Sequence, residues 1–358
     1  MTRMQFVGRH IGQFVTYFRW STCRRHSFLR HTRVRAMVAA VTALVFVTPT
    51  LTACGSSEPV SVLDEIKAGH IVVGTKYDQP GMGMRTPDKK FVGVDPDVSR
   101  YVINHIAEKN GWDKPKIRWR ETPSAQRETL IKNGEVGMIT ATYSVNKGRA
   151  NAVAFGGPYL VTHQALLVRD KDTGIKSLTD LNKGKRLCSV SGSTPAQKVK
   201  EALPEVQLQE FDSYSSCVEA LHQKKVDALT TDATILYGFA TQYPGEFRVV
   251  DMKQDDGSWW TDEHYGIGHA KGDTKSTEAI NDALKDMWAS GTYASIVHKN
   301  LGNDFPVGDD PAISDLSFLQ KGSGDQWRQR LYGVTSAIRY GLHSGSPSNS
   351  RCTQGSVP

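Results

Sequence analysis

The chain has 358 residues and a formal net charge of +7, which at face value suits a polyanionic partner. That charge is confined: residues 1–53 hold eight arginines and no Lys, Asp or Glu, so the remainder carries −1. Without a basic footprint, nucleic-acid binding is excluded for the rest of the chain. About 250 residues between Ser57 and Phe305 are left for one large or two small domains with real cores.

The arginines precede Met37–Val47, an apolar run of 11 residues. It is too short to cross a bilayer and has the length of a signal-peptide core. Residues 1–53 therefore read as an export signal, and its long basic stretch puts the true start near Val34 or Met37. Leu51-Thr52-Ala53-Cys54, followed by Gly55-Ser56-Ser57, looks like the lipobox of a bacterial lipoprotein. Cys54 would then be diacylated as the first residue of the mature chain, with residues 54–61 a lipidated linker. Two acyl chains, at roughly 0.8 kcal/mol per buried methylene, make a stable anchor. The expected location is the extracellular face of the cell membrane.

In chain order, Val62–Gly69 reads as a short helix and Ile71–Gly74 as a buried strand. Val98, Tyr101, Val102 and Ile106 share one face of a helix over Asp97–Asn110 that Gly111 stops. A strand over Ile117–Arg120, a helix over Ala125–Asn133 and a strand over Val136–Thr142 follow. A second series begins at Leu166-Leu167-Val168, with helices predicted over Ser177–Asn182, Pro195–Leu203, Ser215–Gln223 and Ala233–Gln242. They alternate with strands over Arg186–Val190, Val206–Phe211, Val226–Thr230 and Phe247–Val250. A late strand, Tyr265–Gly268, precedes two closing helices, Ser276–Ala289 and Tyr293–Asn300.

Such alternation predicts α/β layering with a mainly parallel sheet. It breaks near Tyr159–Gln164 and near Asp255–Glu263, so two crossings and two lobes are expected, with ligand held in the cleft between them. Lobe 1 is assigned residues 62–163 plus 264–305, and lobe 2 residues 164–263. From Ala312 onward Ser, Gly, Gln and Arg dominate, and residues 310–358 read as a mostly disordered tail containing Cys352. In an oxidising compartment Cys188 and Cys217 are the natural disulfide pair, the alternative being two separately buried thiols. No zinc spacing is present, and no cofactor is expected.

After the Val136–Thr142 strand comes Thr142-Tyr143-Ser144-Val145-Asn146-Lys147-Gly148-Arg149. Small hydroxyl and amide side chains at a strand end leave N–H and Oγ donors free, and an Arg one turn later can aim its planar fork at a carboxylate. The run Ile131–Val168 as a whole resembles the signature of bacterial extracellular solute-binding proteins of family 3. Asn146 stands where Thr is usual there, Gly148 where Glu is usual, and Gly156-Gly157 where Ser is common. The resemblance extends from about Val62 to Leu301. It includes Lys76-Tyr77-Asp78-Gln79-Pro80-Gly81, Val92-Gly93-Val94-Asp95-Pro96-Asp97, Val226–Asp232, Tyr265–Gly268 and Lys271-Gly272-Asp273. In form it is most similar to actinobacterial glutamate-binding lipoproteins of ABC importers.

The resemblance implies a two-lobe, type II periplasmic-binding-protein-like fold with two crossover strands, and assigns roles by position. Arg149 would grip a ligand α-carboxylate, with Ser144 as donor beside it and Thr142 as a backbone contact. Asp232, at a strand end in the second lobe, would accept the α-ammonium; its other reading is a helix N-cap. Ser193 and Thr194 lie in the second-lobe loop that also meets the carboxylate, at a helix N-terminus suited to anions. Lys76 would hold a side-chain carboxylate and so favour glutamate or aspartate over glutamine. Arg85 is a second candidate for that role, and Tyr77 and Tyr143 are candidate apolar walls.

The implied function is a monomeric receptor that closes on a polar amino acid, glutamate foremost, and delivers it to an ABC-transporter permease. Two other classes compete. A dehydratase-type enzyme on the same fold would need an acid and a base in the cleft. His163, His222, His264 and His269 are available, but in no recognisable nucleophile–base arrangement. An extracellular sensor lipoprotein would need a separate signalling partner.

Overall fold

Short β-branched runs separated by amphipathic turns dictate a layered chain. The computed structural model describes residues 59–320. The chain runs through helix α1 (Val62–Lys67), strands β1 (His70–Thr75), β2 (Asp78–Gln79), β3 (Gly83–Arg85) and β4 (Phe91–Val92), then helix α2 (Val94–Lys109). Next come β5 (Lys116–Glu121), α3 (Arg127–Lys132), β6 (Met138–Ile139), α4 (Lys147–Ala152) and β7 (Ala154–Thr162). A second series holds β8 (Gln164–Arg169), β9 (Arg186–Val190), α5 (Thr194–Ala202), β10 (Gln207–Phe211), α6 (Tyr214–His222), β11 (Ala228–Asp232), α7 (Ala233–Gln242) and β12 (Phe247–Asp251). Strand β13 (Glu263–His269) and helices α8 (Thr274–Ala289) and α9 (Thr292–Leu301) end the fold. The expected export signal, the lipid site at Cys54, and the chain beyond Gln320 with Cys352 lie outside the described residues.

Two five-stranded sheets form, in the orders β5-β1-β6-β13-β7 and β10-β9-β11-β8-β12, beside a small β2-β3-β4 sheet. The chain leaves the first large sheet between Thr162 and Gln164 and returns between Asp251 and Glu263. The expected parallel character holds only around β1 and β9, whose four pairings are parallel. The strands next to the crossovers pair antiparallel. Parallel neighbours need a long crossover connection, and β7 passes to β8 through a single residue.

Local differences from the sequence reading have local causes. Helix α2 starts at Val94 rather than Asp97, because Gly93 (φ 126°) makes the turn and brings Asp95 into the first turn. Of the strand expected over Val136–Thr142, only Met138–Ile139 pairs; the chain then turns out of the sheet, with Thr142 at φ 44°. Strand β7 was hidden by Gly156-Gly157-Pro158, and it is an edge strand, where proline is tolerated. Residues 310–320 were expected to be disordered. Instead Ile313 is buried, Ser314 N–H donates to the Gly157 carbonyl at 2.9 Å, and Leu316, Phe318 and Leu319 pack on a first-lobe core cluster with Ile131, Val145 and Phe155. Three apolar side chains in a Ser-rich setting outweigh the composition.

In the second lobe Cys188 of β9 and Cys217 of α6 are joined in a disulfide, Cα atoms 5.7 Å apart. They stand 29 residues apart, a loop whose closure contributes roughly 3–4 kcal/mol in the chain-entropy model. The double replacement Cys188→Ala/Cys217→Ala is therefore expected to lower unfolding free energy by about that amount. Denaturant titration under non-reducing conditions checks it; an unmoved midpoint would show that the bond adds nothing.

The lobes meet closely. A Cβ on Gly192 (φ 72°) would lie 2.6 Å from the Ala125 Cα, and one on Gly238 of α7 would run into the Pro80 carbonyl. Only glycine lets the two backbones approach at these points.

Candidate functional site

Between the sheets lies a buried polar cluster built on strand ends. Helix α4 is capped by Asn146, whose Oδ1 accepts from the Arg149 N–H at 2.9 Å, so the Asn at this position does what a Thr cap does. The cap sets Arg149 in the first turn, with its side chain 7 % exposed. Its Nη1 donates to the Ser144 carbonyl (2.7 Å) and to Thr194 Oγ1 (2.9 Å), and Nη2 to the Gly192 carbonyl (3.0 Å). Nε lies 3.3 Å from Glu128 Oε1. The guanidinium thus reaches from the first lobe to the N-terminus of α5 in the second. Ser193 caps that helix, its Oγ accepting from Ala196 N–H at 3.2 Å, while Thr194 faces the arginine.

Tyr143, expected as an apolar wall, lies within the buried cluster. Fully buried, it lies beneath two guanidinium groups, with Arg127 Cζ 4.2 Å and Arg149 Cζ 5.2 Å from its ring centre, and meets Phe155 edge-on. Its neighbour Thr142 has both backbone groups engaged. The N–H donates to Asp95 Oδ2 at 2.7 Å, and the carbonyl accepts from Arg127 Nη1 at 3.3 Å. Thr142 Oγ1 lies 3.1 Å from Gln79 Oε1. Ser144 offers its carbonyl to Arg149 and bridges to Tyr265 across the sheet.

Lys76 follows β1 directly and is 4 % exposed. Its Nζ donates to Ser124 Oγ at 2.8 Å, and it forms no ion pair among the described residues. Burial, then the nearby Arg127 charge, pull its ammonium down to about 7. Tyr77 is half-buried, and burial raises its phenol, which shares hydrogen bonds with Ser213 of the second lobe and with Glu121. Arg85 is exposed on β3, tied by its N–H to the Tyr77 carbonyl at 2.8 Å; it does not join the buried cluster.

Asp232 ends β11 at the N-cap position of α7, yet its carboxylate makes no capping bond. Oδ2 accepts from Tyr265 Oη at 2.6 Å, and Oδ1 is buried without a partner. Burial, reinforced by the Glu263 charge, raises this acid to about 8. Glu263 in turn accepts from Gln164 Nε2 (3.0 Å) and Lys198 Nζ (2.6 Å). The unpartnered Asp232 Oδ1 can accept one further hydrogen bond.

Sequence reasoning passed over Asp95, Arg127, Glu263 and Tyr265. Asp95 is fully buried and accepts from Thr142 N–H and from Tyr159 Oη at 2.6 Å. Burial raises it to about 7 against those donors. It pins the turn from which Arg149 projects. Arg127 was detectable, since it shares the buried face of α3 with Leu130 and Ile131, where a charged residue is out of place. The four histidines are committed elsewhere: His163 pairs with Asp251 and His222 with Glu246, His264 stacks on Phe318, and His269 bonds Thr277 Oγ1. Among the described residues no group of three or more His, Cys, Asp or Glu is placed to hold a metal ion.

Residues 71–303 match the family of bacterial extracellular solute-binding proteins, family 3. The chain is 58 % identical over 295 residues to the glutamate-binding protein of Corynebacterium efficiens, covering 82 % of this chain and all of that one. Its identity to the glutamate-binding protein of Corynebacterium glutamicum is 60 % over 289 residues, 80 % of this chain and 97 % of the other. Among solved structures, an ancestral arginine-binding protein bound to glutamine superposes with a TM-score of 0.58 at 31 % identity, over 65 % of this chain and 98 % of that one. The two-lobe type II architecture is common to both.

Proposed function

Because the chain belongs to the bacterial extracellular solute-binding proteins of family 3, we propose that it is the receptor of an ABC importer, capturing L-glutamate between its lobes for delivery to a membrane permease. The observation that carries the choice of glutamate is Lys76, a buried cation whose one bonded partner is a serine hydroxyl. A second carboxylate on the ligand completes that site, whereas a neutral amide leaves the charge unpaired. The two Corynebacterium relatives bear names with the same ligand.

The remaining roles follow from donors and acceptors. Arg149 takes the α-carboxylate with Thr194 and the α5 N-terminus, and the free Asp232 Oδ1 takes the α-ammonium. Ser144 and Tyr77 border the ligand, and Ser193 holds the loop. Neither Tyr143, which supports Arg149 from below, nor Arg85, which is exposed, has a direct part. The same reading tethers the protein through lipidated Cys54 to the extracellular face of the membrane; among the described residues no helix is long and apolar enough to cross it.

Calorimetric titration of the purified protein with glutamate, aspartate, glutamine and asparagine tests this. Glutamate is expected to bind tightest. Silence with all four sinks the receptor reading, and a preference for glutamine would remove Lys76 from selectivity.

A further inference from the structure

Away from the grip on Arg149, the lobes also meet through polar contacts at the N-terminus of α6. Asp78, in the short strand β2 of the first lobe, is half-buried. Its Oδ2 accepts from the Ser215 N–H of the second lobe at 3.0 Å, and it makes no ion pair among the described residues. The neighbouring Tyr77 phenol shares a hydrogen bond with Ser213, the N-cap of the same helix. The first amides of a helix have no acceptor within it, and its positive end favours a carboxylate. Ser213 Oγ accepts from the Ser216 N–H at 3.3 Å. A carboxylate from across the cleft answers the Ser215 amide beside it.

Both ends of this contact are tied to the polar cluster. Strand β2 ends at Gln79, whose Oε1 lies 3.1 Å from Thr142 Oγ1. Helix α6 is fastened through the Cys217–Cys188 disulfide to β9. That strand ends at Val190, two residues before the Gly192 carbonyl that meets Arg149. Parting Asp78 from α6 therefore draws the Thr142 side of the cluster away from the Gly192 side.

We propose that Asp78 is a positioning residue, a latch that holds the closed lobes together by binding the N-terminus of α6. The proposal rests on the receptor reading for its effect on ligand release, but not for the contact itself. The latch engages backbone of the opposite lobe and is blind to the ligand's side chain. Its loss speeds the release of glutamate and glutamine alike. A different role for Asp78 is separable, because its charge also favours the ammonium form of Lys76, and losing that support falls on glutamate alone.

Two variants remove the bond from opposite sides. Asp78→Ala deletes the acceptor. Ser215→Pro deletes the donor at the second helical position, which Pro195 already occupies in α5. Stopped-flow release of glutamate and of glutamine from the whole protein is expected to quicken by about threefold to fivefold in each variant, and no further in the double variant. Hydrogen exchange at the Ser215 amide gives a readout of the contact alone. It is followed with the tightest-binding of glutamate, aspartate, glutamine and asparagine at saturation, or in the protein by itself should none bind. Exchange at least about threefold slower in the parent than in Asp78→Ala is expected. Unchanged release, a loss confined to glutamate, additive effects in the double variant, or equal Ser215 exchange would each overturn the latch. Failure of all four amino acids to bind sinks the receptor reading instead, and the exchange rates then decide the contact.

Discussion

Arg149→Ala is expected to weaken glutamate binding by about two to three orders of magnitude while the protein still folds cooperatively. The loss is large because a carboxylate brought into the closed cleft then meets no charged donor, and its desolvation goes uncompensated. Arg149→Lys separates charge from shape. An ammonium keeps the charge but lacks the planar fork that spans Ser144, Thr194 and Gly192, so an intermediate loss is expected. Calorimetry gives the affinities and thermal unfolding the integrity of the fold. An alanine variant that binds as tightly as the parent would move the α-carboxylate site elsewhere.

Lys76→Gln is expected to cost glutamate far more than glutamine, and to remove a pH dependence that only glutamate shows. In the free protein burial leaves this ammonium titrating at about 7, whereas a ligand carboxylate beside it favours the charged form. Below pH 7 the lysine is already protonated and binding needs no proton. Above it, binding must take one up, so glutamate affinity falls by about tenfold per pH unit until the liganded amine itself titrates. Asp232 works in the opposite sense. Raised to about 8, it must lose its proton to receive the α-ammonium, which favours binding at higher pH for both ligands alike. The ratio of glutamine to glutamate dissociation constants, followed from pH 6 to about pH 9, therefore isolates Lys76. A ratio that stays flat in the parent protein would show that Lys76 does not meet the side-chain carboxylate.

The layered fold and its two crossings were legible because α/β alternation is a local signal. Val98, Val102 and Ile106 repeat at helical spacing and are buried, and the two breaks in the alternation fall where the chain changes sheets. What escaped depends on contacts distant in sequence. Strand β7 is stabilised by pairing with β13, more than a hundred residues later, and its Gly-Gly-Pro stretch carries no strand signal. Arg149 and Lys76 stood out through their motifs. Asp95 also lay in such a motif but received no role, because its partners Thr142 and Tyr159 lie 47 and 64 residues away. The setting of Tyr143 was not legible for a related reason: the Arg127 and Arg149 guanidinium groups over its ring are brought there by the fold.

If Arg149 takes the ligand's α-carboxylate as proposed, the hold of Gly192 and Thr194 on it makes the protein compete with its own ligand. On the proposed role of Arg149, two of the acceptors engaging the fork belong to the opposite lobe, so an incoming carboxylate contends with a backbone carbonyl and a hydroxyl for those donors. Capture is then a swap of one set of acceptors for another, and the measured affinity is the difference between the two. Weakening the internal grip at residues 192–194 raises the fraction of molecules whose fork is available. Apparent affinity improves by that same factor, less whatever contact Thr194 itself gives the ligand.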